Sequence, residues 1–215
     1  MLGRAAVAMW WDVAPEVRAE WEDWHTHEHM AERLAIRGFL RGTRWVAGEG
    51  EYFVLYELAR RSVLSGPHYL ERLNHPTPWS RKMMPHHRNM VRSLCRVRAS
   101  FGGGLPQALA TTRFSVRRGR GPALAAWLQA ELAGLAGRRG LACAHLLQAE
   151  RHKGPPTAEQ QIRGGDAQAQ WVLLVGGYDT GALAQVVLPL ADHGADHVQT
   201  GCYRPAYSLA SREIT

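Results

Sequence analysis

Trp21-Glu22-Asp23-Trp24-His25-Thr26-His27-Glu28-His29-Met30-Ala31-Glu32-Arg33-Leu34-Ala35-Ile36-Arg37-Gly38-Phe39 is the run on which the fold turns. At about 100° per residue, Val17, Trp21, Trp24, Ala31 and Ala35 fall on one apolar stripe. One helix is therefore expected up to about Ile36, leaving through Gly38 into a strand. Glu28 lies near the middle of that stripe. His25 and His29 sit one turn apart on its shoulder, and His27 projects to the other side. Burial in an apolar seam raises a carboxyl pKa toward neutrality and makes the group a usable general acid or base. The same placement also suits a structural Glu satisfied by a sheet arginine or by Tyr56.

Working outward from this run, Arg4 to Asp12 reads as a first strand, and Pro15 suits the first turn of the helix. Downstream, Phe39 to Val46 and Tyr52 to Leu58 read as two strands joined by the Gly48-Glu49-Gly50 turn. A broken helical region follows, from Ser65 to about Asn74 and from Thr77-Pro78 to Met84. Met90 to Phe101 reads as a fourth strand. Gly102-Gly103-Gly104-Leu105-Pro106 has the composition of a linker.

Beyond it the same order returns: strand Leu109–Val116, helix Pro122 to about Gly137, strand Gly140–Ala149, strand Trp171–Tyr178, helix Thr180 to about His193, and strand His197–Tyr207. The polar stretch from Arg151 to Gln168 is expected to be a mobile loop. The repeated β-α-β-β-α-β order predicts an α+β chain of tandem ferredoxin-like units, 1–103 and 107–215. Each unit carries helices on one sheet face only, so the two sheets are expected to pack together as an intrachain pseudo-dimeric α/β barrel.

Length and composition narrow the function classes. The chain has 215 residues and a net charge of +7, with both signs interspersed. That suits a soluble surface better than a nucleic-acid footprint, which concentrates basic residues on one face. Cys95, Cys143 and Cys202 are far apart and include no Cys-x-x-Cys pair, which argues for a reducing, cytoplasmic setting. No apolar run approaches the length of a membrane span. Neither a phosphate-cradling glycine loop nor a nucleophile elbow is present. His25-x-x-Glu28-His29 matches the formal pattern of inverted zinc peptidases, but nothing in the sequence supplies the third ligand.

Trp24-His25-x-x-Glu28-His29, followed by Glu32-Arg33-Leu34 and Gly38-Phe39-Leu40-Arg41-Gly42, resembles the dimeric α/β-barrel superfamily, especially its EthD-like members. The strand Tyr52-Phe53-Val54-Leu55-Tyr56-Glu57 and the Tyr69-Leu70-x-x-Leu73 helix extend the likeness over residues 4–101, whereas over 109–210 it is topological. Arg37 stands where those families usually carry proline. The resemblance implies a pocket between a helix and the concave sheet face. It also implies chemistry drawn from isomerases, cyclases, lyases and cofactor-free or haem-degrading monooxygenases.

On this reading Glu28 is the acid/base candidate, assisted by His25 and His29. Arg41, Arg44, Arg96 or Arg98 would bind an anionic oxygen, and Trp10, Trp24 and Tyr56 would line the wall. The expected partner is a small molecule, with neither nucleic acid nor membrane, and the internal pairing removes the need for a homodimer without forbidding one. No cofactor is expected; haem on His145 or His193, or a divalent metal, is the minor alternative. A non-catalytic ligand-binding or stress-associated barrel is the competing function.

Overall fold

The computed structural model describes residues 1–150 and 154–214. Two β-α-β-β-α-β series follow one another, as expected. The first comprises β1 (Ala5–Asp12), α1 (Arg18–Trp24), a π-helical turn (His25–His29), α2 (Met30–Leu34), β2 (Phe39–Ala47), β3 (Glu51–Leu58), α3 (Pro67–Asn74), α4 (Pro78–Met83) and β4 (Arg88–Gly102). The second comprises β5 (Ala108–Val116), α5 (Gly121–Leu135), β6 (Leu141–Ala149), α6 (Ala158–Ile162), β7 (Trp171–Gly177), α7 (Thr180–Ala184) and β8 (Ala195–Ala210). The strands are hydrogen-bonded in the order β1-β3-β2-β8-β5-β7-β6-β4, which closes as an eight-stranded barrel. Closure removes the open sheet edges that would invite aggregation.

Contacts group the chain into two compact units, one of residues 2–94, 151–168 and 206–215, the other of Met1, 95–150 and 169–205. In the first, β3 is the middle of three antiparallel strands, pairing Val7 with Tyr56 on one side and Gly42 with Tyr56 on the other. Its core is aromatic: Trp21, Trp24, Phe39 and Tyr52 are all fully buried. Gly38 ends the helical run at a φ of +105°, a conformation open to glycine and strained for other residues. In the second unit, Leu124, Leu128, Leu132 and Leu135 of α5 are buried. Their i, i+4, i+8, i+11 spacing keeps them on one stripe.

Three expectations change. The helix expected from Thr180 to His193 is only α7: Asp179 caps it by accepting from the Gly181 and Ala182 amides. Beyond Ala184 the β-branched Val186-Val187 pair and Pro189 stop it, the proline lacking the N–H that would bond back to Gln185. The last strand is longer than expected, beginning at Ala195 and ending at Ala210. The stretch read as a mobile loop contains α6, started by a capping box in which Thr157 and Gln160 bond reciprocally. Arg151, His152 and Lys153 of that stretch lie outside the described residues.

Candidate functional site

The π turn sets the geometry. The Met30 amide donates to the His25 carbonyl, one residue further back than in an α-helix. This extra residue retards the wheel, so His25 and His29 are both buried. Glu28, placed by α-helical phasing at the centre of the inward stripe, is only partly buried and turns toward α4. Its Oε1 accepts from Thr77 Oγ1 at 2.6 Å, Trp24 Nε1 at 3.1 Å and Ser80 Oγ at 3.3 Å. Thr77 also caps α4, accepting from the Ser80 amide at 2.9 Å. Glu28 thus ties the helical run to the start of α4.

The two histidines face a small cavity of about 30 Å³, room for about two waters. The alternate residues Val7, Met9 and Trp11 of β1 form one wall, with Phe39 of β2 and Tyr56 of β3 beside them. Arg33 follows the π turn, His87 lies just before β4, Met90 and Arg92 come from its start, and Tyr69 and Leu73 come from α3. Glu159 and Arg163, on and just after α6, complete the lining.

All three imidazoles are held well below the usual histidine range, chiefly by burial, with further lowering from nearby cations (Arg44 at His25, Arg33 at His29, Arg163 at His87). They are therefore neutral at pH 7. Two tautomers follow from their partners. Trp21 Nε1, which can only donate, lies 2.8 Å from His87 Nε2, so the His87 proton is on Nδ1. Arg44 Nη1 lies 3.5 Å from His25 Nδ1; a guanidinium cannot accept, so the His25 proton is on Nε2. His25 Nε2, His87 Nδ1, His29 Nδ1, Tyr56 OH and Arg33 Nη1 are buried and have no hydrogen-bond partner among the described residues. Tyr56 stays protonated, its pKa raised foremost by burial.

Charged groups back the cavity. Glu159 pairs with Arg33 and, at 3.6 Å, with Arg163. Asp166 accepts from Arg163 at 2.9 Å and lies 4.0 Å from Arg92. Arg92 also donates to Tyr69 OH at 2.6 Å. Burial pulls the Arg33 and Arg92 guanidiniums down, but neighbouring groups, led by Glu159 for Arg33 and Tyr69 for Arg92, more than offset it. Both remain charged.

Of the residues singled out from sequence, His25, His29 and Tyr56 meet at this cavity. Trp24 lies behind it, its ring 4.6 Å from that of His29. Trp10 is on the opposite face of β1, against Phe53 at 4.7 Å. Arg41 pairs with Glu57 at 2.7 Å, and Arg44 donates to the Glu22 carbonyl at 3.1 Å and lies 5.7 Å over the Trp21 ring. Arg96 pairs with Glu150 at 2.8 Å, and Arg98 is exposed. Sequence reasoning missed Trp11, Arg33, Tyr69, His87, Arg92, Glu159 and Arg163. Strict alternation on β1 would have offered Trp11 as the partner of Val7 and Met9. Glu159 had no local signal, standing 126 positions from Arg33.

No three His, Cys, Asp or Glu side chains converge as a metal site among the described residues. The histidine-lined cavity is far too small for a porphyrin. His145 lies 3.0 Å from Ser100 Oγ, and His193 stacks on Trp127 at 3.7 Å.

No family model matches the chain, and no curated protein matches it in sequence. Solved structures do share its fold. An anthrone oxidase-like protein superposes with a TM-score of 0.71 at 12% identity, covering 99% of this chain and 95% of its own. A ferredoxin-fold protein from Listeria monocytogenes, related to antibiotic biosynthesis monooxygenases, gives 0.52 at 8% identity, with 95% and 96% covered. A haem-binding protein from Thermus thermophilus gives 0.52 at 12% identity, with 99% and 94% covered. The architecture is that of the ferredoxin-like dimeric α+β barrels, here carried within one chain. Among the described residues no helix is long and apolar enough to cross a membrane.

Proposed function

We propose that this chain is a small-molecule barrel enzyme working by cofactor-free proton transfer on an enolisable or phenolic oxygenated compound. The observation that carries the reading is the set of three neutral imidazoles around one cavity, His25 and His29 buried and His87 partly so, each with a buried ring nitrogen left unpaired. His29 would accept the proton at Nδ1. The His25 Nε2–H, the His87 Nδ1–H and the Tyr56 hydroxyl would donate to the oxygen on which charge develops. Transfer creates an imidazolium beside an oxyanion, and their attraction in a poorly solvated site offsets the burial that otherwise keeps the imidazole neutral.

Isomerisation, cyclisation and lyase action all share this first step. The name of the anthrone oxidase-like neighbour favours the oxygen-using branch. Anthrone is the probe of this chemistry, with only its oxygen-bearing edge entering a cavity of about 30 Å³; its oxidation takes one dioxygen and releases one water on forming the quinone. Oxygen uptake and quinone absorbance should rise with the wild-type protein and fall at least a hundredfold in His29→Gln, the scale of a lost general base. A second reading, a binding barrel without turnover, is favoured by the small size of the cavity. It replaces the first if neither anthrone nor a panel of enolisable ketones and phenols is consumed while ligands still raise the melting temperature.

A further inference from the structure

We infer that the cavity is a receptor for a single anionic oxygen group, taking a small monoanion of the carboxylate or the enolate/phenolate class. This rests on the reading of the same cavity as a small-molecule site, and it names the charge of what enters.

The first observation is a count of buried charge. Arg33, Arg92 and Arg163 have side chains no more than 9% exposed, and the carboxylates among them are Glu159 and Asp166, each 4% exposed. The nearest further carboxylate, Glu32, is partly buried and pairs with Arg72 at 3.4 Å, so among the described residues three guanidiniums against two carboxylates leave one positive charge uncompensated. The neighbouring imidazoles are neutral and do not alter that balance. A buried net charge is costly unless something of opposite sign accompanies it.

The second observation is the excess of donors. Both oxygens of Glu159 are engaged, Oε1 by Arg33 and Oε2 by Arg163, and both oxygens of Asp166 face Arg163. The unpaired groups at the cavity among the described residues are the Trp11 Nε1–H, the His25 Nε2–H, the His87 Nδ1–H, Arg33 Nη1, the Tyr56 hydroxyl and His29 Nδ1. The first five can all donate; His29 Nδ1, the base of the proposed function, is the acceptor. A water accepts at most two hydrogen bonds and must place its own two protons, whereas an ionised carboxylate offers about four acceptor sites and donates none. A cation would face three guanidiniums, and a neutral ligand would leave the surplus charge unanswered. A cavity of about 30 Å³ suits formate or acetate, or the charged end of a larger molecule.

The test is calorimetric titration of the full chain at pH 7.5 and constant ionic strength, with formate and acetate compared against formamide and acetamide. The acids should bind at least tenfold more tightly than the amides. Glu159→Gln keeps the shape but removes one negative charge, so it should tighten acetate binding by about tenfold or more; Arg33→Met should abolish it. A purely structural Glu159 would weaken binding or leave it unchanged. 4-Nitrophenol, yellow only as the phenolate, distinguishes the two ligand sources: a lowered apparent pKa in the protein assigns the phenolate, and acetate binding without that shift assigns a carboxylate. Equal binding of acids and amides, or no binding of formate, acetate or nitrophenolate, overturns the inference even if Glu159→Gln fails to fold. No turnover is read, so anion binding without oxygen uptake keeps this inference and removes only the enzymatic proposal.

Discussion

Acidification should unfold this protein well above the pH at which carboxylates protonate. His25 and His29 are buried, His87 is partly buried, and all three are held neutral, mainly by desolvation. In the unfolded chain each regains a pKa of about 6.5. Below that value the unfolded state binds three more protons than the folded one, so stability falls as pH falls. Each group contributes about 1.4 kcal/mol per pH unit once its unfolded form is fully protonated. Between pH 7.5 and 5.5 the loss is about 1.4 kcal/mol per histidine and about 4 kcal/mol for the three. That is a large share of the 5–15 kcal/mol typical of a folded domain. Glu32, whose carboxyl is pushed up by burial, works in the opposite direction but is one half-buried group.

Urea titrations at the two pH values, fitted with a common slope, read the difference directly. His87→Gln, which keeps an acceptor for the Trp21 indole, should remove about one third of the pH-dependent loss. A free energy of unfolding that is flat from pH 7.5 to 5.5 would refute the claim that these imidazoles are dry and neutral.

Glu28→Gln should cost about 1–3 kcal/mol in urea unfolding, because it weakens an acceptor shared by Thr77, Trp24 and Ser80, while leaving acetate binding within twofold. Trp21→Phe removes the donor that fixes the His87 tautomer; imidazole ¹⁵N shifts should change from one tautomer to a mixture, and unchanged shifts would contradict the assignment. Gly42→Ala would place a Cβ 2.8 Å from Tyr56 Cε1 and 3.1 Å from Met30 Cγ. It should destabilise by about 1–3 kcal/mol through overpacking and weaken acetate binding by moving the Tyr56 ring.

The architecture was legible because it rests on local signals. Gly38, the Gly48–Gly50 turn, the Thr77-Pro78 start and the alternating aromatic strand each report their own conformation, and together they give the repeated strand–helix order. The site was legible only in part. His25 and His29 stood out by spacing, yet Glu28 was assigned to the interior because a 3.6-residue wheel cannot represent one i→i+5 hydrogen bond. His87 looked like the end of a helix. Glu159, Arg163 and Asp166 lay in a stretch whose polar, glycine- and proline-rich composition resembles solvent-exposed loop. Glu159 and Asp166 pair locally with Arg163, but the other arginines they face, Arg33 and Arg92, are far away in sequence, which no local pattern encodes.

The segment bearing Glu159 and Asp166 is encoded between β6 and β7, yet it groups with residues 2–94. Two free copies of a single repeat would have to be equivalent, each supplying everything it needs. Covalent fusion lifts that restriction and lets one copy give up a segment for its sibling's benefit. Splitting the gene after the glycine run would therefore strip Arg33 and Arg92 of their counterions. Co-expression of both pieces, not the amino-terminal piece alone, would be needed to restore them.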